Sequence, residues 1–192
     1  MKKIVILALG FFLFCSMAFA YDLSAGVGFA YGLINDKWEN YYSDIDPFSP
    51  SRNQFGGFAF FGTRYTEFNF SVRYSLNKWE DEDGDKNTDS ALMLSVGAYF
   101  KYPFTLSSAI VLFPTIGIDF DGVENFSYLW FRGGIGLDVY FTERVFLRIQ
   151  GLYGYGIAPP FIMNDLKYDD GSKIVVTPGH GPVARLGIGW MF

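Results

Sequence analysis

The stretch Tyr128-Leu-Trp-Phe-Arg-Gly-Gly-Ile-Gly-Leu-Asp-Val-Tyr-Phe-Thr142 alternates without a break. Leu129, Phe131, Gly133, Ile135, Leu137, Val139 and Phe141 fall on one face, and Tyr128, Trp130, Arg132, Gly134, Gly136, Asp138, Tyr140 and Thr142 on the other. A period of two is the signature of a strand whose faces meet different surroundings. Glu67 to Asn77 repeats the pattern, with Phe68, Phe70, Val72, Tyr74 and Leu76 opposed to Glu67, Asn69, Ser71, Arg73, Ser75 and Asn77. Residues 21 to 33 do the same.

Working outward from these runs predicts eight strands, at 21–33, 55–64, 67–77, 90–102, 108–120, 128–142, 145–157 and 182–192. Connections alternate between short (64–67, 102–108, 142–145) and long (33–55, 77–90, 120–128, 157–182), the asymmetry of outer-membrane barrels. A water-soluble sandwich also alternates, but its polar face would carry many Lys and Glu. Here that face is mostly Gly, Ser, Asn and Thr with a few Arg and Asp. The four long connections hold 15 acidic and 6 basic residues, so charge is concentrated outside the strands. After residue 21 the longest uncharged stretch, Tyr102 to Ile118, contains Pro103 and Pro114, which excludes a spanning helix there. The expected fold class is all-β, an eight-stranded antiparallel up-and-down transmembrane β-barrel.

Of 192 residues, half are hydrophobic, a fifth aromatic and 22 are Gly, which excludes disorder. With 15 Lys+Arg against 20 Asp+Glu the net charge is −5, so no nucleic-acid partner is expected. Lys2 and Lys3 precede an apolar run ending in Ala18-Phe19-Ala20, which reads as a cleaved signal peptide over 1–20. The barrel domain is then 21–192, without a cysteine, because Cys15 lies in the leader. Phe14 beside Cys15 argues against a lipoprotein. Small barrels leave little interior space, and glycine fits it. Twelve glycines fall on the inward face in this register, including Gly57, Gly97, Gly117, Gly136, Gly154 and Gly189. Outward aromatics near strand ends, such as Tyr31, Phe68, Phe141, Tyr155 and Trp190, suit interfacial girdles.

The last strand, Val183-Ala-Arg-Leu-Gly-Ile-Gly-Trp-Met-Phe192, resembles the terminal signal by which bacterial outer-membrane barrels are recognised for insertion. With its leader and eight strands the chain resembles the small barrels of the OmpA, OmpX, OmpW and opacity-protein group. That resemblance implies a bacterial outer-membrane location, contact with its lipid, and engagement of the barrel-assembly machinery through Phe192. It covers the mature chain, but no internal motif selects a subfamily.

The sequence singles out three sets of site residues. Asp22, Asp119 and Asp138 face inward with Arg73, Lys101, Arg132, Arg148 and Arg185, and a Thr142-Glu143-Arg144 turn would set Asp138 directly opposite Arg148. Asp81, Asp83, Asp85 and Asp89 have the spacing of a calcium loop, although the glycine is fourth and no glutamate follows at position twelve, so a solvated acidic loop competes with Ca2+ binding. His180, the only histidine, sits in the turn-rich Pro178-Gly-His-Gly-Pro182 without an evident nucleophile partner. No catalytic residue or other cofactor is expected. Two functions compete: a non-enzymatic structural or surface-interaction barrel, acting on an extracellular or host ligand through acidic, aromatic loops such as Trp38-Glu-Asn-Tyr-Tyr42, and a narrow OmpW-like conduit for small molecules, hydrophobic ones among them.

Overall fold

A computed structural model describes residues 22–40, 51–80, 86–123, 126–157, 166–167 and 173–192. Ten strands are described in these residues: β1 (Ser24–Asn40), β2 (Ser51–Gly62), β3 (Thr66–Glu80), β4 (Lys86–Lys101), β5 (Phe104–Ser107), β6 (Ile110–Val123), β7 (Phe126–Tyr140), β8 (Val145–Ile157), β9 (Leu166–Lys167) and β10 (Lys173–Met191). Eight of them pair with their neighbours in the order β1-β2-β3-β4-β6-β7-β8-β10, and β10 returns to β1. All pairings are antiparallel. The result is a closed up-and-down barrel, which leaves no sheet edge along its wall.

The two small strands are additions to this wall. β5 pairs with β6 as a continuation of β4 beyond Tyr102-Pro103, where proline has no N–H to give the ladder. β9 pairs with the start of β10. Closure is completed where the Phe192 amide donates to the Leu23 carbonyl at 2.9 Å.

Two tight turns at the end where β1 starts and β10 finishes use the same chemistry. Thr63 Oγ1 accepts from the amides of Tyr65 and Thr66, at 3.2 and 3.1 Å, and Thr142 Oγ1 accepts from those of Arg144 and Val145, at 3.2 and 3.0 Å. A threonine hydroxyl thus takes up the amides a short turn leaves free. By the asymmetry of outer-membrane barrels this end is periplasmic.

The wall is turned inside out relative to a soluble protein. Ile116 is 66% exposed and Ile135 60%, whereas Arg132 and Arg148 are each 1% exposed. Only a lipid environment suits such a surface.

Inside, bulky groups sit directly opposite glycines of the next strand. Phe60 faces Gly26, Phe113 faces Gly136, Trp130 faces Gly156 and Phe146 faces Gly189. A methyl group added to Gly26, Gly136 or Gly189 would run into the ring across from it. These glycines are where the lumen makes room for its filling.

Several expectations are corrected. Strands reach further toward the extracellular end, because ladder pairing continues past the apolar face: Lys78 pairs with Thr88, and Lys37 with Thr177. The connection expected at 120–128 shrinks to 124–125. Gly57 points to lipid, because Phe58 and Phe60 occupy the inward positions of β2. The stretch containing His180 is part of β10, accommodated by a register shift against β1 between Asn35 and Lys37, as proline in a ladder requires.

Candidate functional site

The lumen carries the chemistry, in two stacked groups. Nearer the periplasm, Arg148 on β8 lies directly opposite Asp138 on β7. Its Nε and Nη2 donate to the two Asp138 oxygens, both at 2.7 Å, a bidentate pair. Arg148 Nη1 also donates to Glu67 of β3, which accepts from Lys101 Nζ at 3.1 Å and from Asn69 Nδ2 at 3.0 Å. The Arg148 guanidinium carbon lies 4.3 Å from the centre of the Phe60 ring and 5.0 and 5.1 Å from those of Phe113 and Phe146. Planar delocalised charge packs against ring faces more closely than a strongly hydrated ammonium, and Lys101 Nζ stands farther off, 5.6 Å from the centre of the same Phe113 ring.

The second group centres on Asp119 of β6. Its Oδ2 accepts from Arg132 Nε at 2.6 Å and from the Tyr99 hydroxyl at 2.6 Å, and Arg185 Nη2 approaches it at 3.4 Å. Arg185 also donates to Tyr99 Oη at 3.1 Å and to Gln150 Oε1 at 3.5 Å. Beside it, Arg73 Nη2 donates to Asp121 at 2.8 Å and Nη1 to Gln54 at 3.0 Å. Arg132 Nη2 stands 3.9 Å from Asp121 Oδ2 and makes no hydrogen bond, the loosest point of the group. Gly154 opposite Arg132 and Gly97 opposite Asp119 leave space for these side chains.

All six residues of the expected inward network, Arg73, Asp119, Arg132, Asp138, Arg148 and Arg185, are buried here, together with Lys101. Asp22 is half-buried at the mouth of a periplasmic cavity of about 600 Å3 whose lining includes Lys101, Asp138, Arg148, Phe113, Phe146 and Tyr140. Sequence reasoning missed three charges. Glu67 lay on the correct face of its run but at the run's first position. Asp121 fell in an Asp-Gly stretch that reads as a turn. Arg52, buried with its guanidinium carbon 5.0 Å from the Tyr128 ring centre, lay in a stretch assigned to a connection.

Asp81, Asp83 and Asp85 lie outside the described residues. Asp89 is on β4, paired with Asn77, so strand geometry governs its backbone where a loop was expected. Among the described residues no cluster of His, Cys, Asp or Glu could hold a metal ion. His180 is exposed on the outer wall, with Nδ1 2.7 Å from the Tyr153 hydroxyl. Phe192 is exposed at the periplasmic end.

Over residues 6–177 the sequence matches the family described as outer membrane protein beta-barrel domain. Solved structures similar to the chain include Neisserial surface protein A, at 14% identity and a TM-score of 0.41 over 88% of this chain and 99% of that one. The attachment invasion locus protein Ail of Yersinia pestis is similar at 15% identity and a TM-score of 0.34, over 89% and 98%. The outer membrane protease OmpT of Escherichia coli is similar at 8% identity and a TM-score of 0.35, over 90% and 97%. No curated protein matches the sequence.

Proposed function

Because the chain belongs to the outer membrane protein beta-barrel domain family and so resides in the bacterial outer membrane, we propose that it is a non-enzymatic barrel with a filled lumen. Its work is structural or done through its extracellular segments. The observation that carries this reading is the interlocked interior. Arg148, Asp138, Glu67 and Lys101 form one buried ion cluster, and Asp119, Arg132, Arg185 and Tyr99 form another above it. Charges this deeply buried persist only when paired and hydrogen-bonded. Opening a path would separate them. The single histidine, His180, is engaged by Tyr153 on the outer wall, away from the lumen acids, which supports the non-enzymatic reading.

Sequence composition supports a role for the extracellular segments, since the acidic residues concentrate in the long connections and the first of these carries Trp38, Tyr41 and Tyr42, and exposed aromatic side chains commonly mark interaction. The barrel-assembly machinery is the expected partner of the last strand. The observation favouring a conduit is the periplasmic cavity, which ends on Lys101, Asp138 and Arg148.

Single-channel recording of the refolded chain in a planar bilayer tests the reading. Wild-type protein should be silent. Stable steps in the wild type that change amplitude in Arg148→Ala or Asp138→Ala would replace it with the conduit.

A further inference from the structure

The outer wall carries a groove that the filled lumen does not explain. It has a volume of about 470 Å3 and is lined on its lipid side by Gly133, Ile135, Gly151, Tyr153, Pro182 and Ala184, contributed by β7, β8 and β10. These positions adjoin across the strands: Ile135 pairs with Gly151, Gly151 with Ala184, and Tyr153 with Pro182. A methyl group placed on Gly151 would meet nothing within 4 Å. Ile135 and Tyr153, 60% and 56% exposed, rise beside this depression as its banks.

The groove changes character along its length. Tyr153, which lines it, lies 2.7 Å through its hydroxyl from His180 Nδ1, and the two rings stack with centres 6.0 Å apart. With Nδ1 engaged, Nε2 is the nitrogen left for another partner. In the ladder His180 pairs with Tyr155 on one side and Asn35 on the other, both exposed. Gly151 lies six residues above Val145, about 20 Å along a strand at roughly 3.3 Å per residue and about 15 Å along a barrel axis at the usual tilt. The apolar floor therefore starts near mid-bilayer, and the polar end reaches the extracellular interface.

We propose that this groove binds one phosphorylated glycolipid of the outer leaflet, its acyl chain lying along Gly133, Gly151 and Ala184 and a headgroup phosphate meeting His180. The position selects the occupant. The groove is continuous with the lipid-facing wall, occupies the outer half, and places imidazole, phenol and amide groups where an apolar floor ends. The imidazole Nε2–H can donate to a phosphate oxygen, and Tyr155 and Asn35 match sugar hydroxyls. This inference rests on membership of the outer-membrane family and is independent of whether the lumen conducts.

The test is native mass spectrometry of the refolded full chain, with lipid A carrying both phosphates and the same lipid A after dephosphorylation as probes. Wild type should retain one phosphorylated lipid A per chain. Gly151→Leu, and Ala184→Leu filling the groove from β10, should lower retention of both lipids at least fivefold. His180→Ala should lower retention of the phosphorylated form about fivefold and leave the dephosphorylated form unchanged. Heat-modifiable gel mobility identifies the folded variants, and if Gly151→Leu does not fold, Ala184→Leu decides. Undiminished retention in the folded groove variants, or no phosphate-dependent effect of His180→Ala, overturns the proposal. So does a wild-type dimer lost in those variants, which would give the groove to a second copy of the chain.

Discussion

Arg148 shows what one residue does in this interior. It meets Asp138 and Glu67 through three nitrogens and lies against three phenylalanine rings. Removing one partner of such a pair leaves an uncompensated buried charge, at a cost of about 3–5 kcal/mol. Asp138→Ala is therefore expected to destabilise refolded protein by that amount in urea titrations read by intrinsic fluorescence. Val139→Ala, on the lipid face beside it, should cost about 1 kcal/mol, a truncation that leaves no charge unpaired. The reverse order would refute the register of β7 against β8. A smaller effect belongs to Thr142, whose hydroxyl accepts two turn amides. Thr142→Ala should cost about 1 kcal/mol in the same titration.

Among elements, the decisive relation is between a bulky side chain and the glycine across from it. Phe113 of β6 occupies the space that Gly136 of β7 leaves. Gly136→Val is expected to overpack the lumen by roughly 1–3 kcal/mol or more, seen as a lowered yield of heat-modifiable barrel. Gly57→Val should be near neutral, because Gly57 faces lipid and a methyl there meets only the Gly28 carbonyl, at 3.8 Å. This contrast marks where alternation could not be read. Phe55-Gly-Gly-Phe-Ala-Phe-Phe61 is apolar in both phases, so either face of β2 could have been inward. Its neighbour resolves the ambiguity, since Gly26 and Gly28 of β1 stand opposite Phe60 and Phe58. The upper strand ends were illegible for a related reason. Hydrogen bonding continues beyond the lipid, but no apolar face remains there to announce it.

For the whole molecule, closure brings together residues far apart in the chain, Glu67 with Arg148 and Tyr99 with Arg185. The same closure places Phe192 beside Leu23 at the periplasmic end. If the terminal aromatic serves assembly, deleting Phe192 should lower the outer-membrane fraction of the protein severalfold in cells, while refolding of the purified chain in detergent stays near wild type. Equal losses in both assays would make Phe192 a structural residue only.

Alternation, glycine content and the placement of loop charge were enough to determine an eight-stranded membrane barrel and which strand faces carry Arg73, Asp119, Arg132, Asp138, Arg148 and Arg185. They also determined the Asp138 and Arg148 juxtaposition, because a tight turn fixes the register of its own hairpin. The tertiary structure alone decided that Glu67 completes the Arg148 site, that Asp121 belongs to the lumen, that Gly57 faces lipid and that His180 stands on the outer wall. The places of Glu67 and His180 depend on strands distant in sequence and on closure of the last strand onto the first, and those of Asp121 and Gly57 on the register of the neighbouring strands. A period of two names the faces of a strand, but only the neighbours of that strand settle what each face meets.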